Sequence, residues 1–425
     1  MFKSAMSVLR FRKFEKNSAQ RRLARVANID DLRSISKRRL PGGVFDYIDG
    51  AAEDERTLVD NSAAFANYGF KPRVLRDVSD IDSSTTVLGR PIPVPLICSP
   101  TGFTRSAHPE GELAVSRAAA KAGIPFTLST MATRSIEEIR QTTETLANEN
   151  SLNPRNWFQV YVWKDRELVR DLLQRAGESD FEAIVITVDT AVLGRRERDV
   201  RRGFTLPPKL GLDTVIDGVI HPAWTWGFLT NEPILFANVV GKSTDDGSSA
   251  VTLADHVNAQ FDQSLSWDDI EWFRNNWDGK IVLKGIQTIE DAKIAVEHDV
   301  DAIALSNHGG RQLDDAPSPI DLVGPVFNAI GSKAEIYCDG GIRRGSDIVK
   351  AICLGADACM IGRPFLYGLA AAGEKGVDWV LHFLLEGMHR TMALLGAKNL
   401  DDLTPELIQS QNPLLKNGIN HSSKL

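Results

Sequence analysis

Eight short apolar runs recur along the chain from about residue 94, and each is followed by a turn and a stretch of helical periodicity. Uninterrupted apolar strands that alternate with helices are typical of parallel strands buried on both faces. Eight such units close into a (β/α)8, or TIM, barrel, so the pattern predicts an α/β fold of this architecture. The predicted strands cover residues 94–99, 125–129, 156–162, 183–189, 280–285, 302–307, 334–339 and 358–362.

The spacing of the predicted strands is regular except between the fourth and the fifth, where about 70 residues are added. A loop of this length in a compact domain is usually functional, so we predict that residues 195–265, approximately, form a lid over the active face. Helical patterns within residues 30–66 predict an N-terminal helical extension. The chain then divides into a basic tail (1–29), a barrel domain (30–397) and a polar C-terminal segment (398–425).

Composition is that of a soluble globular protein, with 43% hydrophobic and 25% charged residues. No apolar run approaches the length of a membrane-spanning helix, and a net charge of −7 argues against a nucleic-acid partner. Residues 1–29 carry eight basic residues and one acidic residue. This tail is either solvated or in peripheral contact with an anionic membrane surface, and it has no apolar core of the kind found in secretory signals.

The four cysteines lie in apolar stretches and have neither metal-binding nor disulfide-scaffold spacing. We therefore predict buried free thiols, no metal site and a reducing compartment, the cytoplasm.

Polar residues stand at the carboxyl end of every predicted strand, which is where barrels of this type carry their chemistry. A single Lys or His in an apolar run is more often a core residue, but polar groups at all eight ends indicate an active site. These residues are Pro100, Thr101, Ser129, Gln159, Tyr161, Thr187, Asp189, Lys284, Ser306, Asn307, His308, Asp339, Gly340, Gly341, Gly362 and Arg363.

The seventh and eighth strand ends read CDGGIRRG and MIGRP. Successive glycines allow backbone N–H groups to point at an anion, and arginine adds a forked, charged contact. Because barrels often bind phosphate after these two strands, the pair of motifs predicts a phosphate site.

His308 has the chemistry of a general base near neutral pH, and Asp339, one strand away, is its predicted partner. Arg311 in the same loop, with Arg195 and Arg196 after the fourth strand, predicts bidentate binding of a substrate carboxylate. Lys284 faces the barrel mouth, where it either forms a Schiff base or holds a negative charge on a cofactor ring.

These residues, in this order, resemble the FMN-dependent α-hydroxy acid dehydrogenase/oxidase family from about Ile29 to Gly396. The matching stretches are FDYIDGAAEDE, SPTGF, HPEGE, FTLST, WFQVYV, TVDTAVLGRRERD, VLKGI, SNHGGRQLD, CDGGIRRGSD and IGRPFLYGLA.

The resemblance implies a role for each matching residue. His308 would be the base, supported by Asp339, and Lys284 would stabilise reduced, anionic flavin, which displaces the Schiff-base reading. The substrate would be bound by Tyr47, Tyr161, Arg196 and Arg311. FMN would be bound by Pro100, Thr101, Gly102, Ser129, Gln159, Thr187, Lys284, Ser306, Asp339, Gly340, Gly341, Ile342, Arg343, Gly362 and Arg363.

The implied reaction converts an L-2-hydroxy acid to a 2-oxo acid, and His308 takes either the C2 proton or the hydroxyl proton. HPAWTW (221–226) and SLSWDD (264–269) resemble the L-lactate dehydrogenase branch, so we expect (S)-lactate as substrate, a quinone or cytochrome as electron acceptor, and a homotetramer. Met131 and Phe103 depart from the family pattern, and we expect both to line the substrate pocket. They leave glycolate or another 2-hydroxy acid, with O2 as acceptor, as the alternative. An aldolase-type barrel using Lys284 and an inert flavin-binding scaffold are the remaining readings.

Overall fold

The computed structural model of the protein describes residues 15–202, 212–239 and 260–410. Its strands, numbered along the chain, are β1 (Tyr68–Phe70), β2 (Thr85–Val87), β3 (Arg90–Ile92), β4 (Leu96–Cys98), β5 (Phe126–Ser129), β6 (Asn156–Tyr161), β7 (Ala183–Thr187), β8 (Lys280–Ile286), β9 (Ala302–Ser306), β10 (Glu335–Asp339), β11 (Ala358–Ile361) and β12 (Ile408–Ser410).

The helices of the N-terminal half are α1 (Ser18–Leu23), α2 (Ile29–Arg39), α3 (Gly42–Asp49), α4 (Arg56–Ala63), α5 (Gly111–Ala122), α6 (Ile136–Asn150), α7 (Arg166–Glu178), α8 (Glu197–Arg202), α9 (Leu212–Ile220) and α10 (Pro222–Thr230). Those that follow are α11 (Asp268–Asn276), α12 (Ile289–Glu297), α13 (Pro319–Ile330), α14 (Gly345–Cys353), α15 (Arg363–Ala372) and α16 (Glu374–Leu395).

Strands β4 to β11 form a closed parallel barrel, which confirms the predicted fold. Each predicted apolar run coincides with one of these strands to within a few residues at either end, and β11 pairs with β4 to close the ring. The ladder between β8 and β9 is irregular between Lys284 and Ile286. Gly285 in this irregularity has a φ of +113°, and a Cβ there would come within 2.8 Å of the Asp189 side chain. The irregularity therefore makes room for Asp189 beside the barrel mouth.

The amino end of the barrel is closed by the hairpin of β2 and β3, which the sequence pattern did not predict. Val87 and Ile92 of the hairpin pack with interior barrel residues, among them Trp157 and Tyr337. Burying this apolar surface is a main source of stability. The bottom of the barrel is thus filled, and the open end is the carboxyl end, where the polar residues stand.

Both segments predicted as terminal tails contribute structure to the described chain. In the N-terminal tail, α1 carries Arg22, whose Nε donates to the carbonyl of Ala371 at the end of α15. In the C-terminal segment, β12 pairs with β1 in an antiparallel ladder. Residues 1–14 and 411–425 lie outside the described residues.

The long insertion after β7 contains α8, α9 and α10 and a return segment, residues 231–239. Residues 203–211 and 240–259 lie outside the described residues, so the predicted lid falls partly among them. The four cysteines are free and buried, as predicted. In the part of the chain that the structure describes, no helix combines the length and apolar character needed to cross a membrane.

Candidate active site

The predicted site residues surround one cavity of about 490 Å³ at the carboxyl end of the barrel. Of the residues that the family resemblance assigns to the base, the substrate or FMN, all line it except Ser306, which hydrogen bonds to Lys284 and Asp339. Asp189, Asn307 and Arg195, which the sequence pattern also indicated, do not line the cavity. The barrel therefore brings together side chains as far apart in the chain as Tyr47 and Arg363, as the strand-end pattern predicted.

His308 stands two residues beyond β9 in a left-handed backbone conformation, with a φ of +57°. Such a conformation in a residue other than glycine is strained and is found preferentially at functional sites. Its amide donates to Ser306 Oγ at 3.1 Å, and its Nδ1 lies 3.0 Å from Asp189 Oδ1. With Nδ1–H donated to that carboxylate, Nε2 carries the lone pair that can accept a proton.

The predicted pairing of Asp339 with His308 is wrong, because the partner of His308 is Asp189. The left-handed turn at His308 directs the ring across β8 toward the end of β7, and the irregularity at Gly285 gives the Asp189 side chain its place there. The sequence pattern identified Asp189 as a charged residue at the end of a strand, but it assigned this residue no function. Knowledge of the turn geometry was needed to choose between the two aspartates.

Burial lowers the pKa of His308, the positive charges of Lys284 and Arg311 lower it further, and Asp189 opposes them. The net shift is downward, so the imidazole is neutral at neutral pH and ready to act as a base. When it takes a proton, the Asp189 carboxylate at 3.0 Å stabilises the imidazolium.

Asp339 instead forms a buried network with Lys284. Lys284 Nζ lies 3.1 Å from Asp339 Oδ2, while Ser99 and Ser306 donate to the two carboxylate oxygens at 2.7 Å each. Burial acts to lower the pKa of Lys284, but Asp339 and Asp189 outweigh it and the net shift is upward. Lys284 is therefore an ammonium group, which suits a nearby negative charge and not the nucleophilic amine of an aldolase.

Two guanidinium groups flank the ring of Tyr47, with Arg311 at 5.0 Å and Arg196 at 5.5 Å from its centroid. Arg311 Nη1 donates to the Tyr47 carbonyl, and Arg196 pairs with Asp199 at 3.2 Å. Burial, reinforced by the neighbouring arginines, lowers the pKa of Arg311. Its charge lacks a carboxylate partner among the described residues, so an anion bound here is strongly favoured.

A second positive region lies where the chain leaves β10 and β11. Gly341 has a φ of +78°, and a Cβ there would lie 1.8 Å from the Asn61 carbonyl oxygen, so only glycine fits. Gly362 precedes the N-terminus of α15, whose dipole favours anions. Arg363 donates to the carbonyls of Ile48, Gly50 and Gly309. Arg343 and Arg363 have no carboxylate partner in the described chain, which suits a phosphate.

Between these two regions, Gln159 is arranged to donate to a bound molecule. Ser129 Oγ donates to Gln159 Oε1 at 2.8 Å, which fixes the amide orientation. Gln159 lines the cavity, and its Nε2 is buried and has no hydrogen-bond partner among the described residues. A buried donor without a partner is costly, so this nitrogen calls for an acceptor on a ligand.

The cavity also has apolar walls, of which the sequence predicted Met131 alone correctly; Phe103, predicted with it, does not line the cavity and packs against Tyr47 and Phe236. Met131 follows β5, and Phe236 and Phe261 come from the return half of the insertion. The Phe261 ring packs edge-on against Tyr161 at 5.1 Å. Met131 was noted in the sequence as lining the pocket, whereas nothing in the pattern around Phe236 or Phe261 separated them from other insertion residues.

Comparison with known proteins agrees with this site. The model of the family described as FMN-dependent dehydrogenase matches residues 36–410. A Mycobacterium tuberculosis protein that carries L-lactate dehydrogenase as a provisional name is 45% identical over 398 residues, covering 94% of this chain and 92% of its own. Glycolate oxidase 1 of Oryza sativa subsp. indica is 41% identical, covering 90% and 95%. A crystal structure of (S)-mandelate dehydrogenase, described as a monotopic membrane protein, has a TM-score of 0.85 and 39% identity, covering 91% and 100%.

The chain belongs to the FMN-dependent dehydrogenase family, and its reaction is the FMN-dependent oxidation of an α-hydroxy acid. The residues present fit that cofactor. The unpartnered Gln159 Nε2 and the Lys284 ammonium suit a polar ring that becomes negatively charged on reduction, and the glycine and arginine region after β10 and β11 suits a phosphate. Membership of this family removes the aldolase reading.

Proposed function

We propose that the chain oxidises (S)-lactate to pyruvate and passes the electrons to a quinone or a cytochrome. The observation that carries the proposal is that one cavity contains both a neutral His308, hydrogen bonded to Asp189, and Arg311, which lacks a carboxylate partner among the described residues. A base beside an unpaired cation suits a hydroxy acid whose carboxylate is bound by that arginine. The apolar wall of Met131, Phe236 and Phe261 suits a hydrocarbon side chain. The similarity to the mycobacterial protein favours lactate.

In this proposal the substrate carboxylate is bound by Arg311 and Arg196, and Tyr47 and Tyr161 contact the carboxylate or hydroxyl. His308 Nε2 accepts the proton that leaves the substrate, and Asp189 stabilises the charge formed. Bound FMN supplies the acceptor for the two electrons. Lys284 counters the negative charge that results, and Asp339 and Ser306 hold Lys284 in place.

The remaining predicted cofactor residues keep their proposed roles. Those near the flavin ring and its chain are Pro100, Thr101, Gly102, Ser129, Gln159 and Thr187. Those at the phosphate are Gly340, Gly341, Ile342, Arg343, Gly362 and Arg363.

The alternative is oxidation of glycolate or another L-2-hydroxy acid with O2 as electron acceptor. The similarity to glycolate oxidase supports it. The active-site residues would have the same roles, and only the side chain that the substrate carries on C2 and the electron acceptor would differ.

The test is an absorption spectrum of the purified holoenzyme under anaerobic conditions, with L-lactate or D-lactate added in separate cuvettes. We expect L-lactate alone to bleach the visible flavin band. Slow recovery in air would support the dehydrogenase, while recovery within seconds would identify an oxidase. A flavin band that only another 2-hydroxy acid bleaches would overturn lactate as the substrate.

We also propose a peripheral membrane contact through the insertion, in addition to the contact expected of the basic tail. Most large apolar side chains that are exposed in the described chain lie between residues 192 and 235, in the insertion that also contributes Arg196 and Phe236 to the cavity lining. Trp226 and Leu229 on α10 are 71% and 70% exposed. We call the following residues the insertion surface: Val192, Val200, Ile216, Val219, Ile220, Trp226 and Leu229.

Exposed apolar side chains concentrated in one segment indicate an interaction surface, and a lipid surface would supply a lipid-soluble acceptor to the enzyme. The related mandelate dehydrogenase, described as a monotopic membrane protein, supports this choice of partner. Location on the inner face of the cell membrane or free in the cytoplasm, and assembly as a homotetramer, remain predictions to be checked by fractionation and sedimentation.

Replacement of Trp226 and Leu229 by serine should weaken binding to vesicles containing anionic lipid at least tenfold, because each side chain contributes about 1.5–3 kcal/mol when buried in an apolar phase. Cosedimentation measures the effect, with Val59→Ser and Val74→Ser, exposed apolar residues elsewhere, as the control pair. Binding through the insertion surface persists in high salt. Loss of binding in high salt or on removal of residues 1–28, with no effect of the double serine variant, would assign the contact to the tail alone.

A further inference from the structure

One aromatic side chain of the insertion enters the cavity from a chain segment that is separate from the barrel strands. Phe236, on the return segment 231–239, is only 7% exposed, although its neighbour Leu235 is on the surface. Its ring lies 5.9 Å from that of Phe103, which in turn lies 6.1 Å from Tyr47. A row of three rings thus runs from the insertion to the tyrosine between the two arginines.

The barrel side of this row is rigid. Phe103 has a left-handed backbone, with a φ of +58°, and its amide donates to the Met131 carbonyl at 2.9 Å. A strained conformation persists only where its surroundings hold it, so the backbone of Phe103 is held in place where its ring packs against Phe236.

The insertion side of the row is held by Asn238, which is 1% exposed. Its Oδ1 accepts from the amide of Ile136, in the first turn of α6, at 3.0 Å, and its Nδ2 donates to the Arg134 carbonyl at 3.3 Å. The Ala237 amide donates to the Ala132 carbonyl at 3.1 Å. Since Ile136 N–H is one of the amides a helix leaves without an internal partner, Asn238 ties the return segment to α6 at a point where a bond is needed.

We propose that Phe236 determines which substrate side chains are accepted, and that Asn238 is the positioning residue that holds it there. The inference rests on the proposed function. Of the four substituents on C2, the carboxylate and hydroxyl are bound by the polar groups and the hydrogen leaves. The fourth substituent meets the apolar wall, where Phe236 limits its length.

The test compares kcat/KM for L-lactate and L-2-hydroxyhexanoate in the holoenzyme of the wild type and of Phe236→Ala. We expect the lactate-to-hydroxyhexanoate ratio to fall at least tenfold, since even one methylene group in an apolar pocket discriminates by about 10–200-fold. Phe236→Leu, which keeps more of the core volume, should give a smaller shift in the same direction. Phe228→Ala is the matched control, because Phe228 lies on the same insertion, is 43% exposed and is stacked on Trp224 outside the cavity.

Asn238 is tested by rescue. Asn238→Ala removes the acceptor for Ile136 N–H and should shift the ratio in the same direction as Phe236→Ala. Asn238→Asp keeps the acceptor at a helix N-terminus, where a carboxylate is favoured, but loses the Nδ2 donor to the Arg134 carbonyl. It should therefore restore the ratio part of the way toward the wild-type value. A loss of stability alone would lower both rates together and leave the ratio unchanged.

The dissociation constants of pyruvate and 2-oxohexanoate, measured by titration calorimetry, give a readout that does not depend on turnover. A change in their ratio in Phe236→Ala supports the proposal even if lactate fails to reduce the flavin, an outcome that would sink only the proposed function. Equal effects of Phe236→Ala on both ligands and both substrates would overturn the role of Phe236.

Discussion

His308→Gln lowers the rate at which an L-2-hydroxy acid reduces the bound flavin by about 10²–10⁴-fold, the usual contribution of a positioned general base. Glutamine fills a similar volume and still accepts a hydrogen bond, but its amide takes up no proton near neutral pH. FMN should remain bound, because the residues proposed to hold its ring and phosphate are on other strand ends, apart from Ser306. The bond between Ser306 and His308 involves the His308 backbone amide, which the substitution leaves in place. Stopped-flow absorbance under anaerobic conditions measures the rate directly.

The control for this variant is His382→Gln, at an exposed histidine on α16 that pairs with Glu386. It should leave the reduction rate at the wild-type value. A decrease of only two- or threefold in His308→Gln, with flavin still bound, would mean that another group takes the proton.

The barrel could be predicted from the sequence because its strands are buried on both faces and therefore appear as uninterrupted apolar runs. The hairpin that closes its amino end could not. Strands β2 and β3 have three residues each, and TTV and RPI mix polar, proline and apolar residues without a repeating pattern. Their apolar side chains are explained only by the barrel interior that they fill.

The position of the site followed from the polar strand ends, but two of its details depend on backbone geometry that a residue pattern does not contain. The partner of His308 is Asp189 because His308 adopts a left-handed turn and the ladder is irregular at Gly285. Phe236 reaches the cavity because Asn238 ties its segment to α6. In the sequence, LFANV has nothing that distinguishes it from an ordinary buried segment.

Asp189→Asn tests the correction directly, and we expect it to lower the rate of flavin reduction about 10- to 100-fold. The Asp189 carboxylate forms a charge-assisted hydrogen bond with the imidazolium, worth about 1.5–3 kcal/mol, and asparagine provides a neutral acceptor only. Asp180→Asn, at an exposed aspartate near the amino end of β7, is the matched control and should have no effect.

The pH dependence of Asp189→Asn separates this role from a structural one. His308 acts as a base only when neutral, so the rate rises as the pH increases through the pKa of His308. Burial, Lys284 and Arg311 lower that pKa and Asp189 raises it, so removal of the carboxylate lowers the pKa further. The acid limb of the profile should therefore move to lower pH while its plateau falls. If the acid limb of Asp189→Asn stays in place or moves to higher pH, Asp189 does not act on His308. If the limb moves to lower pH in Asp339→Asn but not in Asp189→Asn, Asp339 is the partner of His308 after all.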